Sequence, residues 1–103
     1  MNKKLKAKWV KELESGKYKQ CEGALKRGNA YCCLGVLRKI MHPDSKLHSD
    51  GLLHEKHANE ARLPERTQRE LSMMNDHLIS TNDGVRVHKT DFPKIAKWIR
   101  VNL

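Results

Sequence analysis

Apolar residues recur at helical spacing in four stretches of this chain, with short alternating or turn-rich stretches between them. Over residues 2–14, Leu5, Trp9 and Leu13 are spaced by four with Val10 beside them, so one stripe of a helix is apolar. The other face carries Lys3, Lys4, Lys8 and Lys11, and Ser15-Gly16 supplies the stop. Cys33, Leu34, Leu37, Ile40 and Met41 trace a second helical face. His42-Pro43 closes it, because the residue before a proline avoids the helical region. A third helix is expected from Leu63-Pro64 through Leu71 and Met74 to Asn75-Asp76. The fourth is capped by Thr90 or Asp91 and turns Phe92, Ile95, Trp98 and Ile99 inward.

Between the first two helices, Tyr18, Gln20, Gly23 and Leu25 suit a short irregular strand, and Arg27-Gly28-Asn29 marks a turn. Residues 78–88, "LISTNDGVRVH", read as a hairpin with Asn82-Asp83-Gly84 at its tip and Val85 and Val87 alternating with Arg86 and His88. The pattern weakens over 44–63. An Asp-Gly turn between Leu47 and Leu52/Leu53 suits a small hairpin, and "HEKHANEAR" is polar with little periodicity. The expected fold is α+β: a single domain over residues 1–103, with about four helices and one or two short β-hairpins.

The longest apolar run, "AYCCLGVL" at 30–37, places Cys32 and Cys33 side by side with Gly35 inside a helical pattern. Glycine costs a helix interior about 1 kcal/mol relative to alanine, so close approach of another backbone is its expected reason. A catalytic thiol needs a helix N-terminus or a neighbouring cation to lower its pKa, and a histidine within reach. The apolar flanks favour the other reading, cysteine as a small buried hydrophobe. Three cysteines with no Cys-x-x-Cys pair make a disulfide framework improbable. Adjacent cysteines rarely both reach one zinc ion, and Cys21 with His42 has no recognised metal spacing.

No stretch approaches the roughly 20 apolar residues of a membrane span, and the basic start has no apolar segment behind it. A cytosolic protein with reduced thiols is expected. Charge is unevenly spread. Residues 1–41 hold eleven Lys/Arg against three Glu, a net +8, whereas residues 42–103 contribute only +1. Such a field favours an anionic partner: a nucleotide, nucleic acid or an acidic protein face.

"KWVKELESGKYKQCEGAL", "YCCLGVLRKI", "LSMMND" and "DFPKIAKWIRVNL" together resemble a family of small proteins encoded by tailed bacteriophages and prophages. Its pattern is a Trp-containing helix, Ser-Gly-x-Tyr-x-Gln, Cys-Cys-Leu-Gly-Val-Leu (here Cys32–Leu37), Leu-x-x-x-Asn-Asp and a closing Phe-x-x-Ile-Ala-x-x-Ile helix. Two departures stand out. Cys21 occupies a position where relatives tend to have a small residue, and the final helix is basic through Lys94, Lys97 and Arg100 where theirs is acidic. The resemblance implies a phage origin and the cytoplasm of an infected bacterial host, without implying a chemical activity.

Known catalytic patterns are missing. His54 and His57 are three apart, the wrong spacing for a zincin, and the gaps among Asp76, His77, Asn82 and His88 are too short for an HNH nuclease. The histidines are read as a solvated set. There is no dinucleotide fingerprint, phosphate loop or nucleophile elbow. Trp9 and Trp98 lie on apolar stripes and are read as core. No catalytic residue, metal or cofactor is expected.

What remains is the basic surface, with Lys8, Lys17, Tyr18, Lys19, Gln20, Lys26 and Arg27 as the candidate ligand-binding residues. Lysine is a flexible point charge and arginine the better base reader, so sequence-specific DNA recognition is not expected. The expectation is a non-enzymatic phage accessory protein of counter-defence type, binding a nucleotide signal or host protein through its basic N-terminal face. A nucleic-acid-binding accessory or regulatory protein is the alternative, and an enzyme built on Cys32 or a histidine is the least supported. No membrane partner is expected, and a homo-oligomer is compatible with this reading.

Overall fold

Helix α1, Lys3–Glu14, starts on Asn2, whose side-chain oxygen accepts from the backbone N–H groups of Lys4 and Leu5 at 2.8 and 3.2 Å. Its apolar stripe buries Trp9, Val10 and Leu13. A computed structural model describes residues 1–43 and 54–103. The small hairpin expected near Leu47–Leu53 lies outside those residues.

The chain then makes three two-residue strands, β1 (Lys19–Gln20), β2 (Lys26–Arg27) and β3 (Ala30–Tyr31). β3 is central, parallel to β1 and antiparallel to β2, with Gln20 opposite Tyr31 and Arg27 opposite Ala30. Gly28-Asn29 closes the β2–β3 turn with Gly28 at φ +62°, where a type II′ turn takes glycine. Ala30 and Tyr31, which open the apolar run 30–37, are strand.

Helix α2, Cys33–Met41, ends at His42 as expected. Its first turn presses on the β1–β2 loop. A Cβ placed on Gly35 would stand 1.9 Å from the Leu25 carbonyl oxygen, which also accepts from Cys32 N–H at 3.1 Å. Close backbone approach is the reason for this glycine.

Helix α3, His54–Glu60, adds to the four helices expected. Among its described side chains His57 and Ala58 are fully buried. Arg62, at φ +61°, ends it: Leu63 N–H donates to Ala58 O and Arg62 N–H to Asn59 O, a Schellman closure.

Helix α4, Glu65–Asp76, buries Gln68, Leu71 and Asn75. The hairpin of β4 (Leu78–Ser80) and β5 (Arg86–His88) pairs Ile79 with Val87, as the alternation predicts. Helix α5, Phe92–Asn102, is capped by Asp91 and packs along α1. There Arg100 Nη1 donates to Glu14 Oε2 at 2.7 Å while Nη2 reaches Oε1. The α+β class and the core of Trp9, Leu13, Leu34, Leu37, Leu71, Ile95 and Ile99 stand as expected. No helix among the described residues is long and apolar enough to cross a membrane.

Two substitutions with opposite signs test this description. Gly35→Ala drives a methyl into the Leu25 backbone and is expected to lower stability by about 1–3 kcal/mol in urea titrations. A gain, as at an exposed helical glycine, would show that the contact is not there. Arg62→Gly relieves a left-handed residue and is expected to raise stability by about 0.5–1 kcal/mol.

Candidate functional site

Basic residues of the N-terminal region converge on the small sheet. Tyr18 and Tyr31 meet edge to face, with ring centroids 5.1 Å apart and planes at 81°. Lys17 Nζ lies 5.5 Å from the Tyr18 ring centre, and Lys26 Nζ lies 5.7 Å from that of Tyr31. Exposed cation–π pairs of this kind are weak, about 0.5–1 kcal/mol, so both ammonium groups remain available to an anion. Lys19 and Arg27 are exposed on the flanking strands. Lys17, Tyr18, Lys26 and Tyr31 therefore form one cluster, the register sets Lys19 and Arg27 with Ala30 on the other face of the sheet, and Lys8 stands on the exposed face of α1.

Gln20 is not part of that surface. Its side-chain Nε2 points inward and donates to Asn75 Oδ1 at 3.1 Å and to Thr90 O at 3.0 Å. It joins a buried network centred on Asn75. Asn75 Oδ1 also accepts from Cys33 N–H at 3.1 Å, and Asn75 Nδ2 donates to Cys21 O at 2.7 Å and Asp76 Oδ1 at 3.0 Å. Asp76 Oδ1 further accepts from Gly23 N–H at 3.1 Å. The backbone oxygen of Asn75 accepts from His88 Nδ1 at 2.8 Å, which leaves Nε2 of that ring 3.6 Å from Glu22 Oε2. Three separate sequence segments (Ser-Gly-x-Tyr-x-Gln, Cys-Cys-Leu-Gly-Val-Leu and Leu-x-x-x-Asn-Asp) thus meet at one side chain.

Beside this network lies a cleft of about 480 Å³, walled by the Gly23–Leu25 loop, the start of α2 and one face of α4. Arg27 lies beside one of the lining residues: a Cβ on Gly23 would stand 3.6 Å from Arg27 Nη2. Arg69 lines the α4 side, held by Glu65 at 2.5 Å in an exposed i,i+4 pair.

The cysteines are packing groups. Burial pushes the Cys32 thiol up to about 12, although it sits at the N-cap of α2 with Sγ accepting from Gly35 N–H at 3.2 Å. Burial drives Cys33 well above its ordinary range, and it raises Cys21 against the opposing pull of Arg27. None is the thiolate that nucleophilic chemistry requires. No group of three or more His, Cys, Asp or Glu side chains among the described residues is placed to hold a metal ion. The solvated reading of the histidines fails at two positions. His57 is fully buried with Nε2 donating to Leu34 O at 2.8 Å, and His88 is half-buried in the network.

Sequence reasoning missed Tyr31 and Asn75 as site residues. The turn at 27–29 foretold a strand after it, which would have claimed Tyr31. Gln68 and Asn75 share a helix face with Leu71, and polar residues on a buried face signal a hydrogen-bonded network.

The sequence profile of a family described as a domain of unknown function, DUF8296, matches residues 1–69, and the chain belongs to that family. The matched span includes the basic sheet and the cysteine helix; Asn75 and α5 follow it. No curated protein and no solved structure matches the chain.

Serine keeps the cap on Gly35 N–H but does not titrate, so Cys32→Ser isolates the thiol's effect. A thiol whose folded value lies above its ordinary one favours the neutral form, so its contribution is complete below pH 9 and is lost as pH rises towards 12. Cys32→Ser is expected to fold normally at pH 7 and to lose less stability than wild type between pH 9 and 11 in matched urea titrations. Equal alkaline losses would mean that the thiol is not held neutral by burial.

Proposed function

We propose that this protein is a non-enzymatic binder of a phosphate-bearing ligand of the nucleotide class, working through the basic aromatic platform of β1–β3. The observation that carries this reading is the pair of lysine-capped tyrosines, with Lys19 and Arg27 on the adjoining strands. Cations neutralise phosphate, and aromatic faces accept the flat rings of bases. The buried, neutral cysteines argue against thiol catalysis. In a phage setting, as the sequence resemblance suggests, such a binder acts in counter-defence in the host cytoplasm, by sequestering a nucleotide signal or occupying a host protein.

Single-stranded nucleic acid is the second reading, since aromatic residues interleaved with cations also serve such strands. Salt separates the two. Backbone binding weakens with a log–log slope of about −0.7 per single-strand phosphate contacted, whereas one small ligand gives a shallow slope and a fixed stoichiometry.

Fluorescence anisotropy with labelled nucleoside phosphates and a short oligothymidylate tests the platform. Changing Lys17, Lys19 and Lys26 to Gln is expected to weaken binding by about tenfold or more, with the fold intact because such surface changes each stay within about 0.5 kcal/mol. Lys89, Lys94 and Lys97 changed to Gln remove the same charge elsewhere and are expected to cost less than about twofold. Equal losses from the two sets would reduce the effect to net charge and remove the localised site.

A further inference from the structure

The cleft beside the platform has the dimensions of a small-molecule site: its volume of about 480 Å³ falls within the roughly 300–1,000 Å³ usual for such pockets. Its lining is divided by chemistry. Ala24 and Met73 give accessible apolar surface above the buried Leu25, Leu34 and Cys32, and the backbone of Gly23–Leu25 lets a flat ring come close. Ser72 and Asp76 supply polar groups on the α4 side. Asp76 commits Oδ1 to Gly23 N–H and Asn75 Nδ2, which fixes the carboxylate and leaves Oδ2 to accept from a ring N–H, an exocyclic amine or a sugar hydroxyl. Arg69 lines the cleft on α4, and Arg27 lies next to Gly23 on the opposite wall without lining the cleft itself. Glu65 holds Arg69 through an ion pair with both side chains more than 70% exposed, a contact weak enough for phosphate to replace. Guanidinium groups bind phosphate oxygens in bidentate fashion, which lysines cannot.

We infer that this cleft is a mononucleotide pocket: the nucleoside lies against Ala24 and Met73 with a polar edge on Asp76, and its phosphate bridges Arg27 and Arg69. The inference rests on the reading of the protein as a nucleotide-class binder and commits it to a monomeric ligand held beside the lysine platform. The platform geometry agrees. Tyr18 and Tyr31 lie at 81° to each other, so two successive bases of a stacked strand cannot both lie flat on them. One phosphate held between Arg27 and Arg69 needs no stacked strand.

The test titrates the four ribonucleoside 5′-monophosphates, the parent nucleosides, inorganic phosphate and a short oligothymidylate into full-length protein, followed by calorimetry and amide shifts. At least one monophosphate is expected to bind one to one, about tenfold or more tighter than its nucleoside or inorganic phosphate, and to shift the amides of 23–25 and 72–76. Arg69→Gln and Ser72→Phe, both outside the lysine platform, are expected to weaken that binding about tenfold while leaving the melting temperature and any oligothymidylate binding unchanged. Three results overturn the inference: no monophosphate binding, inorganic phosphate binding as tightly as the monophosphate, or shifts confined to residues 17–19 and 26–31. In the last case the platform reading survives and only the pocket falls. Loss through Arg69→Gln with no effect from the three platform lysines would instead keep the pocket and refute the platform.

Discussion

The side-chain amide of Asn75 is the point on which the rest of the structure depends. It is fully buried on α4 and uses its whole hydrogen-bonding capacity, accepting from Gln20 and Cys33 N–H and donating to Cys21 O and Asp76. The two-residue strands of the small sheet are too short to hold themselves by pairing alone. Asn75 ties their first strand to the start of α2 and, through its backbone oxygen, to His88 on the hairpin. Each buried polar group left without a partner costs about 1–3 kcal/mol, so losing this residue would strand several at once.

Close contact between Gly35 and Leu25 completes the same junction. The Leu25 carbonyl caps the chain entering α2 and lies where any side chain on residue 35 would need to be. Cys32 shows which of two effects wins there. A helix N-terminus favours a thiolate, but desolvation outweighs it and keeps the thiol neutral, so the cysteine serves as an apolar cap. Trp9 joins the arrangement by donating its indole N–H to Cys33 O at 2.9 Å.

This rigid junction sets the basic surface and the cleft side by side. The β1–β2 loop carries Gly23 and Leu25 into the cleft wall, while the strands at its two ends carry Lys19, Lys26 and Arg27 to solvent. One short loop therefore serves both features, and Arg27 lies next to Gly23 of the cleft wall.

Local regularities were legible in the sequence because they repeat: the apolar stripes of α1, α2, α4 and α5, the Asp-Gly hairpin turn, and the glycine that a helix would not otherwise tolerate. The concentration of positive charge in the first 41 residues was equally plain. Helix α3 was not legible, because its residues, His54–Glu60, are polar with little periodicity. Nor was the inward turn of Gln20, which depends on Asn75 and Thr90, 55 and 70 residues away in the chain. Sequence determined which residues are apolar, charged or conformationally special, since those properties belong to each residue and its near neighbours. Tertiary structure alone decided which polar side chains are committed to partners in the interior and which face an open cleft, because a hydrogen bond is satisfied in space and its partner lies at no fixed separation along the chain.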